Sequence, residues 1–249
     1  VFGIIIFGIN FFNLLPLRIW GIMSNYVLIA VPLFIFMGVM LEKSGLAEEL
    51  LETMALLFGK LRGGLAISVL IVGALLGAST GIVAATVVTM RILSLPVMLK
   101  RGYSAKSASG IIMASGTLGQ IIPPSIILIL LGSVLNVPVG NLFIAALLPG
   151  LLLVFLFFTW IVFLTITKPK SVPAMPADEL SKFKGTDALK RILSAFILPS
   201  ILVLAVLGSI FTGLASPTEA AGIGAFGAII LSIVKRRFNI ILSYNSHIG

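Results

Sequence analysis

The stretch GTLGQIIPPS, residues 116–125, lies between the apolar runs SGIIMA and IILILLG, and the rest of the chain is read from it. Two glycines and two adjacent prolines do not sustain a helix. Proline has no amide to donate and clashes with the preceding turn, and glycine loses the most freedom on ordering. The flanking residues are nevertheless apolar enough for a bilayer. A spanning helix broken there frees carbonyl and amide groups, and each unmet group in hydrocarbon costs several kcal/mol. Protein, water or an ion has to compensate the break. Unwound carbonyls suit a cation, and the N-terminus of a second half-helix suits an anion. We expect Pro123 and Pro124 to leave Ile121 and Ile122 outside helical bonding, and Ser125 to begin the second half-helix. The plainer alternative is a structural kink satisfied by neighbouring helices.

The composition agrees with a membrane setting. Of 249 residues, 59% are hydrophobic and 10% charged, and the mean hydropathy is +1.22. A soluble domain carries about a quarter charged residues. The expected class is an all-α polytopic membrane protein, a single membrane domain over 1–249, with the lipid bilayer as its surroundings. The net charge of +9 sits in loops between apolar runs, where it reports topology; no nucleic-acid partner is expected. With no Cys and one His, His247, no transition-metal site, cofactor or His-dependent triad is expected. The chain starts at Val1 inside an apolar run, and the tail NIILSYNSHIG differs from the rest. It reads as a fragment of a longer protein.

Along the chain, the run Val1 to Leu15 is short for a span of roughly 20 residues. PLRIWGIMSN suggests an interfacial helix with Trp20 and Tyr26 at headgroup level. The run Tyr26 to Leu41 is expected to kink at Pro32. Leu46, Leu50, Met54, Leu57 and Leu61 recur at helical spacing beside Glu48, Glu49 and Glu52, which predicts an amphipathic helix, read as an interfacial connector with a partner-docking helix as the alternative. Leu65 to Leu99 is almost unbroken apolar, with GASTG at 77–81 in its middle. Two conventional spans and a re-entrant hairpin both fit it, since both return the chain to one side. The broken helix occupies about 107–135, a long span 142–167, and a polar loop 168–191. Two further runs follow, Ile192 to Phe211 and Thr218 to Val234.

Fifteen of the 17 basic residues fall in four places: Lys43 to Arg62, Lys100 to Lys106, Lys168 to Arg191, and Lys235 to Arg237. Asn136 to Asn141 and Thr212 to Ser216 carry none. All four clusters fall on one face, which the positive-inside rule assigns to the cytoplasm: 43–62, 100–106 and 168–191 inside.

Three other features carry candidate residues. In GASTG, Ser79 and Thr80 supply hydroxyl oxygens and the glycines allow close approach. Paired with the break some 35 residues on, this is a second interruption meeting at the same site. In ASPTEAAG, Ser216 fits a helix N-cap, Pro217 the first helical position and Glu219 the third residue of a capping box; a role for Glu219 in ion passage or partner contact is the other reading. Arg91 lies inside an apolar run, nine residues before Lys100. Snorkelling toward the cytoplasmic surface and contact with a substrate both fit an intramembrane charge there.

Together, PLFIFMGVMLEKSGLAEEL, GASTGIVAATVVTM, LPVMLKRGY, ASGTLGQIIPPSI and ASPTEAAG, in order from about Ser24 to Lys235, resemble the DctM-type large membrane subunit of tripartite ATP-independent periplasmic (TRAP) transporters. The resemblance implies a sodium-coupled secondary transporter subunit in a bacterial or archaeal cytoplasmic membrane. It takes up small organic acids such as dicarboxylates from a periplasmic substrate-binding protein, beside a small DctQ-type membrane subunit. The coupling ion that the resemblance implies is Na+. The implied architecture is the elevator-type ion transporter fold of two inverted repeats, each with a re-entrant helical hairpin and a broken helix. Residues 24–135 are then the first-repeat core and 192–249 the start of an incomplete second repeat. The matching positions imply that Ser79, Thr80 and Gly81 at the hairpin tip and Gly116, Thr117 and Gly119 at the break help to hold sodium. Pro123, Pro124 and Ser125 then shape the second half-helix toward the transport path. The second hairpin and break are not in this sequence, so one half of a site is implied, and that half is not expected to transport alone. Arg91 stands where the family usually carries a small residue. A stand-alone symporter of the same superfamily and an intramembrane enzyme remain as alternatives.

Overall fold

The computed structural model describes residues 14–175 and 196–234. Every regular element among them is helical, as expected for an all-α polytopic protein. The first run, Val1 to Leu15, lies almost wholly outside the described residues, as do 176–195 and the cluster Lys235 to Arg237. The chain begins with α1 (Leu14–Met23), none of whose residues is buried. A 3-10 turn (Tyr26–Ile29) leads into α2 (Ala30–Lys43). Pro32 therefore falls in the first turn of α2 and not in mid-span. At that position the missing amide had no helical partner to lose; the irregularity expected at Pro32 is the 3-10 turn just before it.

Helix α3 (Leu46–Phe58) differs from its expected place. Leu46, Leu50 and Met54 are buried, while Leu57 and Leu61 are exposed. The carbonyl of Phe58 lies against Gly64, at the start of α4 (Gly64–Thr80). Leu46 and Leu50 share a small cavity with Leu76 and Ser79 near the end of α4. The two helices are thus antiparallel neighbours, and α3 lies along the hairpin instead of connecting at an interface. The first three residues of the apolar stripe, Leu46, Leu50 and Met54, are buried against protein. Lys43 and Lys60 are therefore at opposite ends of a 13-residue helix, ~20 Å apart, and 43–62 is not one loop.

Helix α4 is buried over nearly its whole length. It turns at Gly81 (φ 62) into α5 (Val83–Lys100). After the corner at Gly102, α6 (Ala105–Thr117) runs to the break, and α7 (Ile126–Leu135) follows it. A turn at Asn136 (φ 54) leads to α8 (Val139–Thr167), 29 residues long with an outward face of Leu148, Phe155, Phe163 and Ile166. Helices α9 (Leu198–Phe211) and α10 (Pro217–Val234) complete the described chain.

Two apolar clusters organise these helices. One centres on α4 and takes in α3, α5, α6 and the later half of α8. The other joins α2, α9, α10 and the α7–α8 corner. Helix α10 faces α2 with the small residues Ala220, Ala221 and Ala228 buried, and at Gly224 an added Cβ would lie 2.6 Å from the Met37 sulfur. Small faces of this kind are how helices approach in a membrane, where lipid is as apolar as leucine.

Three loops are tied together by backbone hydrogen bonds. Gly63 N donates to Val172 O at 3.1 Å, Ser104 N to Ser171 O at 3.2 Å, and Met175 N to Gly59 O at 3.0 Å. The segments carrying Lys60 and Arg62, Arg101 and Lys106, and Lys168 and Lys170 therefore share one end. At the other end Asn25 Nδ2 donates to Ser133 Oγ at 2.8 Å, and Thr218 Oγ1 to Tyr26 O at 3.0 Å. The chain contains no cysteine, so single cysteines report sidedness cleanly. Cysteines at positions 60, 106 and 168 are expected to react with an impermeant maleimide from one face of membrane vesicles, and those at 136 and 213 from the other. Labelling of 136 and 168 from the same face would contradict this arrangement.

Candidate functional site

The two interruptions predicted from the sequence come together. At Gly77 an added Cβ would stand 2.6 Å from Gly119 Cα and 2.8 Å from Gly119 N. One turn earlier, at Gly73, it would stand 2.6 Å from Ser115 Cβ. The tip residue Gly81 abuts the start of α7, where an added Cβ would lie 3.0 Å from Ile126 Cγ1 and 3.3 Å from Ile126 N. Gly116 faces Val87 on the second arm of the hairpin. Backbone therefore meets backbone where α4 crosses the break, a contact only glycine permits.

The depth of the tip follows from two helices. Helix α7 leaves the tip at Ile126 and reaches the Asn25 contact at Ser133, ~10 Å further on. Helix α2 touches the tip through Gly38, which faces Thr80, and the 3-10 turn that leads into α2 starts from that same Asn25, 13 residues or ~20 Å away. The tip stops well short of the Asn25 end.

At the break, α6 tightens into a 3-10 turn, Leu118–Gln120. The expectation that Ile121 and Ile122 lie outside helical bonding is corrected here: both donate to Leu118 O, at 3.0 and 2.9 Å. The tight turn lets one carbonyl accept two amides. Pro123, Pro124 and Ser125 are buried. Ser125 is the N-cap of α7, as expected, but its side chain makes no capping bond. Its hydroxyl reaches back across the break to Gln120 O at 2.7 Å.

The tip is similarly closed on itself. Thr80 Oγ1 and Thr86 Oγ1 stand 2.8 Å apart, and Ile82 O at 3.0 Å from Thr86 Oγ1 and Gly77 O at 3.5 Å from Thr80 Oγ1 are the carbonyls within reach of the pair. Ile82 N approaches Thr80 Oγ1 in turn, at 3.5 Å. Ser79 Oγ donates to Leu76 O at 2.8 Å and Ser79 lines the small cavity toward α3 and α9. Thr117 is exposed and donates to Ala114 O at 2.8 Å. Each hydroxyl proton is thus committed to a nearby oxygen, leaving lone pairs to accept. The structure brings Gly81, Gly116, Gly119 and Ser125 together with Thr80 beside them. The hydroxyls of Ser79 and Thr117 lie on the flanks.

Arg91 and Glu219 are elsewhere. Arg91 is exposed on α5, ten residues or ~15 Å along the helix from Gly81. Glu219 forms the capping box read from ASPTEAAG: Ser216 N donates to Glu219 Oε2 at 2.7 Å, and Glu219 N to Ser216 Oγ at 3.3 Å. Three participants were missed. Thr86 sits five residues past the glycine tip, in a stretch read only as apolar. Gly38, read only as part of a span, faces the tip. Thr89 donates to the Glu42 carboxylate, a tie between α5 and α2 that no sequence spacing announces.

A family model described as "Tripartite ATP-independent periplasmic transporter, DctM component" matches residues 1–245. The chain belongs to this family. The resemblance drawn from the five motifs is borne out, and the family is one of transporter components, which sets the intramembrane-enzyme alternative aside. The chain is 31% identical over 234 residues to the C4-dicarboxylate TRAP transporter large permease protein DctM of Pseudomonas aeruginosa, covering 94% of this chain and 53% of that protein. It is 35% identical over 204 residues to the protein of that name from Vibrio cholerae, covering 81% and 43%. Against the ectoine TRAP transporter large permease protein TeaC of Halomonas elongata it is 34% identical over 210 residues, covering 84% and 47%. The chain spans about half the length of the curated relatives it matches.

The contact of Gly77 with Gly119 predicts that Gly119→Val lowers stability by about 1–3 kcal/mol, the usual effect of overpacking. Gly110→Ala, in the interior of α6 where an added Cβ meets nothing within 4 Å, is expected to raise the thermal midpoint of the purified protein slightly, by the loss of glycine's unfolded-state freedom. Ser216→Ala is expected to remove about 1 kcal/mol by uncapping α10, read in the same melt.

Proposed function

We propose that this chain is part of the permease subunit of a sodium-coupled, binding-protein-dependent secondary transporter that imports small organic anions. The observation that carries the proposal is the meeting of Gly81 with the N-terminus of α7, where a hairpin tip and a helix break share one buried spot. Sodium would bind oxygens of Ser79, Thr80 and Gly81 on the tip and of Gly116, Thr117 and Gly119 at the break, since carbonyls and proton-committed hydroxyls are cation ligands. The α7 N-terminus carries no side-chain cap. With Ser125 turned back to Gln120, its first amides suit an anionic group of the substrate. Bound sodium would offset the negative carbonyl ends and favour that anion, which is coupling in the thermodynamic sense.

In this reading the hairpin is re-entrant and belongs to the first of two inverted repeats of an elevator-type fold. The tip and the break would move as one body, because no side chain separates Gly77 from Gly119. The partners would be a periplasmic substrate-binding protein and a small DctQ-type membrane subunit, in a bacterial or archaeal cytoplasmic membrane. The relatives are named for C4-dicarboxylates and for ectoine, which supports the transporter class more than any one substrate.

Sodium stabilisation of the full-length protein is the direct test. At 100 times its Kd a bound ion adds about 2.7 kcal/mol, so sodium and not potassium is expected to raise the thermal midpoint. Replacing Ser79 and Thr117 together by Ala is expected to remove the shift and sodium-driven uptake. Full uptake without sodium, or in the double variant, would refute the coupling scheme. Co-purification of the small membrane subunit is expected; uptake by the permease without it would favour a stand-alone symporter.

A further inference from the structure

A cavity of about 470 Å3 opens between α4, α6 and the later half of α8, within the size range of small-molecule pockets. Most of its wall is apolar, from Leu70, Ile111, Phe157, Ile161 and Leu164. One end differs. Lys106 and Ser107, in the first turn of α6, line it there, and no acidic residue does. Lys106 is exposed, and so are Lys168 and Lys170. The latter two are brought to the same end by the hydrogen bond from Ser104 N to Ser171 O. Trp160, 57% exposed, also lines the cavity and has the amphipathic ring found at headgroup level.

The charge at this end is unusual for a helix start. Helix N-termini favour acidic residues, and α6 has none in its first turn. Lys106 adds a positive charge to the positive end of the helix. A purely apolar occupant has no use for that charge, and a small anion has no use for a long apolar slot. An amphiphile with an anionic head and a hydrocarbon tail matches both ends. Basic pockets between helices on the basic face of a membrane protein recognise such headgroups.

We propose that the groove between α6 and α8 binds one anionic phospholipid. Its phosphate rests against Lys106, and an acyl chain runs along Gly110 and Ala114 between the helices. The site joins the helices that carry the hairpin and the break to α8, so the lipid fills the seam between them. The proposal rests on the membrane setting and is independent of sodium coupling.

Gly110 makes the site testable. An added Cβ there meets nothing within 4 Å, so Gly110→Ala leaves the slot open and Gly110→Phe fills it without touching the basic end. Native mass spectrometry of the purified full-length protein, titrated with phosphatidylglycerol or phosphatidylcholine, reads the occupancy. Wild type and Gly110→Ala are expected to retain one phosphatidylglycerol in preference to phosphatidylcholine. Lys106→Gln is expected to weaken that binding about fivefold, and Gly110→Phe to abolish it. Equal retention of the two lipids by wild type, or unchanged phosphatidylglycerol binding in both Lys106→Gln and a folded Gly110→Phe, would overturn the proposal. A photo-cross-linker at position 110 that captures a peptide in place of phospholipid would overturn it as well. Should Gly110→Phe not fold, the Lys106→Gln titration and the cross-link decide alone.

Discussion

The contact between the backbones of Gly77 and Gly119 holds the rest of the structure in place. It sets the distance between α4 and the broken helix at a value no other residue pair allows, and so fixes where the hairpin tip arrives. Gly73 against Ser115 and Gly116 against Val87 extend the contact along two helices. With the spacing set, Gly81 lands on the first amide of α7. Much of the larger apolar cluster is the packing that surrounds this seam on its other sides.

Non-helical backbone is tolerated at membrane depth only when protein or water meets its polar groups. Here the protein meets many of them itself. Leu118 O takes two amides, Gln120 O takes the Ser125 hydroxyl, and Thr80, Thr86 and Ile82 close a small ring. A ligand at these groups, as proposed, would exchange one set of bonds for another, so its net gain would be only the difference between two satisfied states.

The sequence made the break and the tip legible because glycine and proline act locally. Pro123, Pro124 and the GASTG glycines interrupt helices wherever they stand, and Ser216 with Glu219 forms its cap from four consecutive residues. What spacing could not supply was which face each helix turned to which neighbour. The stripe of α3 was visible, but an apolar stripe buries equally well against lipid headgroups or another helix; contact with α4 decided it. Ser79 stands out as a hydroxyl at an interruption and Thr117 enters through the family resemblance, and helical phase puts both on the flanks of the seam. Pro32 promised a kink only if the helix began earlier than it does. Gly38, Thr86 and the Thr89–Glu42 bond join segments some 40 to 50 residues apart, or close a turn through its second arm, and no local pattern marks them.

The placement of α3 bears on what lies beside the hairpin. This helix runs along α4 from near its tip to its base, with Leu46, Leu50 and Leu51 turned inward. Glu48 and Glu52 consequently lie exposed on the outer side of its first two turns. Carboxylates are expensive in hydrocarbon and do not line a surface bathed in acyl chains. The outer faces of the two flanks thus differ in kind: α5 shows Val88 and Ile92 beside the charge of Arg91, while α3 shows carboxylates that call for water or another polypeptide.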